Sequence, residues 1–179
     1  MKTKTILYNL IIILLFSGFI YSQDDVSVIN DDEYKFTIAF PAGWKKLETK
    51  VIPEKGVINY SLQKNNNDNG LMILAFKLTE VKDIDDFIYV LEKDASLNLP
   101  QRSSEFKDIE YDDYDGKSAL YKDTNDIETI FYFRTKNTLT NENYAYMLRF
   151  ITPIKKHGFS TEQEIEAIIK SFRPKPITG

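Results

Sequence analysis

Two long segments near the C-terminal end carry large apolar or aromatic side chains at both odd and even positions. Residues 128–135 read ETIFYFRT, and residues 144–151 read YAYMLRFI. Successive side chains of a strand point to opposite faces, so both faces of these two segments are apolar. Such strands lie in the middle of a sheet that is covered on both sides. We therefore expect a layered fold built around these two strands, which pair antiparallel across the polar loop 136–143.

Other strands are predicted from alternation and from turn residues. Residues 34–40 place four large apolar side chains on one face, and Pro41 ends the segment. The remaining candidates are residues 57–62, 71–78, 109–114 and 117–122. Asn69-Gly70 and Asp115-Gly116 predict hairpin turns, because these residues tolerate positive φ. Short turns of this kind require antiparallel pairing.

Two segments have the helical period of 3.6 residues. Asp83 is a predicted N-cap. It is followed by one apolar stripe, which consists of Ile84, Phe87, Ile88, Leu91 and Ala95. The second helix is predicted from Ser160, with Gln163 three residues later as a capping box, and runs to Phe172 before Pro174. The order of strands and helices predicts an α+β fold, in which an antiparallel sheet of about six to seven strands is sandwiched with helices.

Composition excludes several classes of site. The 179 residues include 12 Phe and 11 Tyr but no Cys and one His. Aromatic residues in this number can build a core. Absence of Cys rules out disulfides, zinc-thiolate sites, iron–sulfur clusters and cysteine nucleophiles. The net charge of −4 argues against a nucleic-acid partner, and no cofactor is predicted.

The first 22 residues have the organisation of a secretory signal peptide. Lys2 and Lys4 precede an uncharged, largely apolar stretch, and Ser22 is a small residue before the predicted cleavage. Residues 23–179 are then one exported domain, with a short tail from about residue 174. The alternative is an uncleaved membrane tether, because 19 uncharged residues are long enough to span a bilayer. After cleavage no stable membrane span is expected.

Two short motifs resemble the PsbP-like family. One is Phe36-x-Ile38-x-Phe40-Pro41-x-Gly43-Trp44, and the other is Ile168-Ile169-x-Ser171-Phe172-Arg173. The resemblance covers residues 30–174. It implies the α/β/α sandwich shared by the extrinsic PsbP protein of photosystem II and a Ran-binding nuclear import factor, here in a secreted, bacterial-type member. It further implies binding to protein complexes or help in their assembly, and it assigns no catalytic residue.

Six residues are candidates for partner binding. Residues 149–179 carry six basic and three acidic side chains, and a basic patch would suit an acidic partner or an anionic headgroup. The candidates are Trp44, Arg149, Lys155, Lys156, His157 and Arg173. Each has a structural alternative. Trp44 is also typical of a core residue beside a turn, His157 of a solvated loop, and the basic residues of a helix C-terminus.

The acidic residues predict no metal site. Asp108, Glu110, Asp112, Asp113 and Asp115 form a series before Gly116. Calcium loops need acids at fixed positions relative to a glycine. Placing Gly116 at the sixth position puts Tyr111 at the first and Lys122 at the twelfth, so the pattern fails. The series is typical of a polar strand edge, which discourages pairing with other chains.

These observations together predict a secreted or periplasmic, non-catalytic binding or assembly module with a protein partner in the cell envelope. Two alternatives remain open. One is an extracytoplasmic hydrolase that uses a pair of carboxylates in a pocket. The other is an envelope protein tethered by an uncleaved N-terminal segment.

Overall fold

The computed structural model describes residues 25–65, 68–78, 83–110, 114–135 and 143–175. The predicted signal peptide, residues 1–22, lies outside the described residues, as does most of the predicted C-terminal tail. The helices are α1 (Ile84–Lys93) and α2 (Phe159–Ser171). The strands are β1 (Val28–Asp31), β2 (Phe36–Ala39), β3 (Trp44–Ile52), β4 (Val57–Lys64), β5 (Gly70–Leu78), β6 (Gln101–Arg102), β7 (Lys107–Glu110), β8 (Tyr114–Lys122), β9 (Asp126–Thr135), β10 (Asn143–Pro153) and β11 (Arg173–Pro174).

All described strands pair antiparallel in two sheets. The large sheet has the order β3-β4-β5-β10-β9-β8-β6, and β7 also pairs with β8. The small sheet has the order β1-β2-β11. The α+β class is confirmed, but the eleven strands in the described residues exceed the six to seven predicted.

The central pair β9 and β10 is confirmed, with Met147 opposite Tyr132 and Tyr146 opposite Phe133. One face of the large sheet packs against α1, where Phe87 contacts the Tyr132 ring edge-on. The other face packs against the small sheet and α2. Burial of a large apolar side chain contributes about 1.5–3 kcal/mol. These two apolar layers therefore explain why both faces of the central strands are apolar.

The face covered by α2 has an aromatic centre. Phe172, at the end of α2, stacks on Phe133 with ring centroids 4.9 Å apart, and it meets the Tyr146 ring edge-on at 5.1 Å. Tyr146 donates to the carbonyl oxygens of Tyr34 and Lys35 at 2.9 and 3.0 Å. The turn between β1 and β2 is therefore attached to the central strand of the large sheet.

Helix α1 begins as predicted, whereas α2 does not. The Asp83 carboxylate accepts from the Asp86 backbone N–H at 2.8 Å, which confirms the N-cap. Helix α2 begins at Phe159, its N-cap is Gly158, and no side chain caps it. The predicted capping box at Ser160 is therefore wrong. The first turn instead closes through the Gly158 carbonyl, which accepts from the Glu162 N–H at 3.0 Å.

Of the two predicted turns, Asn69-Gly70 lies where β5 begins, whereas Asp115-Gly116 lies inside β8. Strands β4 and β5 pair antiparallel as predicted, with Gly70 opposite Gln63. Gly116 lies within β8 and pairs with Ile109. A Cβ at Gly116 would stand 2.7 Å from the Phe133 ring. This glycine therefore makes room for a core aromatic residue rather than for a turn.

Strand β3 is missing from the sequence prediction because it lacks alternation. It is an edge strand, and all residues from 46 to 51 are exposed, so neither face of this part of the strand is buried. A bulge between Lys46 and Glu48 interrupts the pairing with β4. Lysine residues and bulges are both common protections of an edge strand against further pairing.

Candidate functional site

A groove lies between α2 and the outer part of the large sheet. Helix α2 covers the inner strands and leaves part of β8 and β9 uncovered, so an open cavity of about 430 Å³ remains. We name it the α2–β8 groove. Its lining residues are Ser104, Lys107, Ser118, Ala119, Leu120, Thr129, Phe131, His157, Glu162, Ile165, Glu166, Ile169 and Lys170.

The inner surface of the groove is apolar on both sides, the sheet side and the α2 side. Leu120 and Phe131 lie on the sheet face that looks toward α2, since Ser118 pairs with Phe131 and side chains two apart share a face. Ile165 and Ile169 are one helical turn apart and line the opposite wall. Leu120 is 37% exposed. An apolar surface therefore remains open to solvent next to the core.

The rim of the groove is polar and carries both signs of charge. Lys107 comes from β7, and Glu162, Glu166 and Lys170 come from α2. The Lys170 ammonium lies 2.6 Å from a Glu166 carboxylate oxygen. Groups of both signs at the rim of an apolar floor suit an amphiphilic ligand more than a strongly charged one.

His157 lies in the wall of the groove, and its side chain is only 14% exposed. The sequence interpretation as a solvated loop histidine is thereby corrected. The 3-10 turn Ile154–Lys156 folds the chain back, so the His157 N–H donates to the Pro153 carbonyl at 3.1 Å. Nε2 is buried without a hydrogen-bond partner among the described residues. Nδ1 lies 3.8 Å from Glu162 Oε1, beyond hydrogen-bond distance.

Trp44 is inside the fold. It is 2% exposed, and its indole N–H donates to Glu164 Oε1 at 3.0 Å. Lys64 pairs with the same carboxylate. The predicted partner-binding tryptophan is therefore a core residue that connects the start of β3 to α2, which agrees with the structural alternative.

Arg149 is also buried, at 8% exposure. Its Nε and Nη2 donate to the two carboxylate oxygens of Glu128, both at 2.6 Å, and Nη1 donates to the Leu97 carbonyl oxygen at 2.8 Å. Two parallel hydrogen bonds of this kind are the strongest arrangement for an arginine–carboxylate pair. Arg149 is therefore not a surface residue, and the pair holds the segment after α1 against the sheet.

The other predicted basic residues do not form one patch. Lys155 and Lys156 precede α2 and are exposed, and Lys156 lies 2.8 Å from Asp68. Arg173 follows α2 and donates to the carbonyl oxygens of Lys170 and Phe172 at the helix end. Thirteen helical residues separate the two groups, which corresponds to about 20 Å. Arg173 therefore has the structural role predicted as the alternative to partner binding, namely that of a basic residue at a helix C-terminus.

A second polar cluster lies on the opposite face of the sheet, beside α1. Tyr121 donates to Glu92 Oε1 at 2.7 Å, and its oxygen lies 2.9 Å from the Tyr132 oxygen. Arg102 lies 3.1 Å from the same carboxylate. Burial raises the pKa of both phenols above the ordinary value of 10.0, so both remain neutral donors. Sequence analysis missed this cluster, because its members come from four separate elements.

Neither a metal centre nor a membrane-spanning helix is present in the described part of the chain. No group of three His, Cys, Asp or Glu residues there is arranged to hold a metal ion. Asp112 and Asp113 of the acidic series lie outside the described residues. None of the helices within those same ranges is long and apolar enough to cross a bilayer.

Comparison with known proteins finds similarity at the level of structure but not of sequence. No protein-family model and no curated protein matches the sequence. The chain is similar to the crystal structure of LpqN, described as involved in cell envelope biogenesis of Mycobacterium tuberculosis. The two share 12% sequence identity and a TM-score of 0.49, and the alignment covers 87% of this chain and 88% of LpqN.

Proposed function

We propose that the protein is an exported, non-catalytic binding module that holds an apolar or amphiphilic ligand in the α2–β8 groove. One observation carries the proposal: an apolar floor remains open beside the core although the central strands are covered on that sheet face. The PsbP-like resemblance is part of the same proposal, since that family is characterised by binding rather than by shared catalytic residues.

The size and lining of the groove support a small ligand. Pockets for small molecules measure about 300–1000 Å³ and combine apolar walls with a few polar groups, and this groove holds about 430 Å³. Leu120, Phe131, Ile165 and Ile169 supply the apolar walls. Moving apolar ligand surface from water onto them is favourable at about 25 cal/mol per Å².

Binding fits the groove better than hydrolysis does. The acids of the groove are Glu162 and Glu166, which lie one turn apart on the exposed side of α2. Their side chains are 60% and 61% exposed. A general acid needs a low-dielectric environment that keeps its proton near neutral pH. Carboxylates in this degree of contact with water lack that environment, so the predicted hydrolase remains the second choice.

Filling the groove is expected to weaken ligand binding. The variant Leu120→Trp places an indole over the floor, and we expect it to weaken binding of the neutral dye N-phenyl-1-naphthylamine at least about tenfold, because each 1.4 kcal/mol of lost apolar contact is tenfold. Dye fluorescence titration measures the affinity. The matched control Val90→Trp places the same indole at a 52% exposed position on α1 and should bind like the wild type. Equal binding by both variants would refute the groove as the site.

Export is tested on protein recovered from cells. We expect the mature chain to begin at Gln23 and to be found in the soluble extracytoplasmic fraction, as N-terminal sequencing and mass spectrometry would show. Recovery of the intact N-terminus in the membrane fraction would instead support the tethered alternative.

The envelope partner is tested by crosslinking in the same cells. Crosslinking through the exposed Lys155 and Lys156 should capture it.

A further inference from the structure

We propose that the α2–β8 groove selects a ligand with a hydroxyl group, which bridges His157 Nδ1 and the Glu162 carboxylate. The inference rests on the proposed function and specifies the class of ligand: an aliphatic alcohol or a hydroxylated lipid. Three observations carry it, namely the buried Nε2 without a partner, the 3.8 Å separation of Nδ1 and Glu162 Oε1, and the apolar floor beside them.

The position of the imidazole proton follows from the surroundings of the two ring nitrogens. Among the described residues, Nε2 has no partner within hydrogen-bond distance. In either neutral tautomer Nε2 is therefore unpaired, as a donor or as an acceptor. The Glu162 carboxylate, 3.8 Å from Nδ1, can only accept, so it favours the tautomer with the proton on Nδ1. His157 therefore presents an N–H donor toward the groove, next to a carboxylate that can only accept.

The distance between the two groups suits one bridging atom. At 3.8 Å, Nδ1 and Oε1 are too far apart for a direct hydrogen bond. An oxygen placed about 2.8 Å from each would satisfy both. That oxygen must accept from Nδ1–H and also donate to the carboxylate, and a hydroxyl does both.

Other ligand head groups fit less well. An ionised carboxylate on the ligand has no proton to donate and would face the negative charge of Glu162. An ammonium group cannot accept from Nδ1–H. An ether oxygen accepts from Nδ1–H but leaves Glu162 without a donor. Of these head groups, only a hydroxyl makes both hydrogen bonds.

The test compares two isomers of the same formula. 1-Octanol and heptyl methyl ether have the same atoms and nearly the same chain, but only the alcohol can donate a hydrogen bond. We expect the full mature protein to bind 1-octanol about fivefold more tightly than the ether, the effect of one net hydrogen bond. Backbone amide NMR titration gives both affinities and shows, through shifts of Leu120 and Ile169, whether the ligand is in the groove.

Two variants separate the bridge from the groove. His157→Phe keeps a ring of similar size, and Glu162→Ala removes a carboxylate whose side chain is 60% exposed. Glu162→Ala should reduce the preference for the alcohol to about one without weakening ether binding. His157→Phe should weaken both isomers by a similar factor, because both accept from Nδ1–H, and leave the preference unchanged. Equal affinity of the wild type for both isomers in the groove would overturn the hydroxyl bridge and leave the binding function intact. If neither isomer shifts the groove residues, both proposals fail.

Discussion

Replacing Arg149 by methionine is expected to lower the free energy of unfolding by about 3–5 kcal/mol, because it leaves a buried carboxylate without its counter-charge. The Glu128 side chain is 4% exposed, and each of its two carboxylate oxygens accepts a hydrogen bond from Arg149. The variant also releases the Leu97 carbonyl oxygen, which loosens the segment after α1. Urea denaturation followed by circular dichroism measures the change.

Two control variants test whether the loss of stability in Arg149→Met comes from the unpaired buried carboxylate. The double variant Arg149→Met, Glu128→Leu should recover most of the lost stability, since replacing both members of a buried pair by apolar residues is often neutral. Lys170→Met breaks an exposed pair with Glu166, whose side chains are 69% and 61% exposed, and should cost less than about 1 kcal/mol. If Arg149→Met costs no more than Lys170→Met, the buried pair does not stabilise the fold.

Stability is expected to fall steeply above pH 10. Burial raises the pKa of Tyr121, Tyr132 and Tyr146 above the ordinary value of 10.0. The unfolded chain loses these protons near pH 10 while the folded chain retains them. Unfolding therefore releases protons, and the stability present below pH 10 is lost as the pH rises. Three such groups correspond to a loss of about 4 kcal/mol at pH 11 relative to pH 8.

A single substitution tests this alkaline effect. Tyr146→Phe removes one titrating phenol together with its two hydrogen bonds to backbone carbonyl groups. At pH 8 the variant should be less stable than the wild type by about 1–2 kcal/mol. At pH 11 the deficit should shrink by about 1.4 kcal/mol, because the variant has one phenol fewer to ionise on unfolding. A deficit that is the same at both pH values would show that Tyr146 does not contribute.

Local sequence signals predicted the parts of the fold that depend on local chemistry. The apolar character of residues 128–135 and 144–151 identified the central strands, and Asp83 identified the start of α1. Both signals act within a few residues: alternation determines which side chains a strand buries, and a cap satisfies its own first turn.

The remaining features depend on contacts between distant segments. Asp115-Gly116 is typical of a turn, but Gly116 lies in a strand. The Phe133 ring packs against it there and leaves no space for a side chain. Arg149 and Trp44 were predicted on a surface because nothing local reveals their partners, Glu128 and Glu164. The groove arises from how far α2 extends over the sheet, a distance that no local pattern encodes.

The place of β10 in the large sheet has a consequence for the order of folding. It is the last strand of that sheet in the chain, yet it lies between β5 and β9 and joins the halves β3-β4-β5 and β9-β8-β6. The two halves share no pairing until β10 has been synthesised. Likewise, β11, at Arg173–Pro174, completes the small sheet that β1 begins. Both sheets therefore stay open until their last strands, β10 and β11, have been added, and such non-local closure makes folding slow compared with helical proteins.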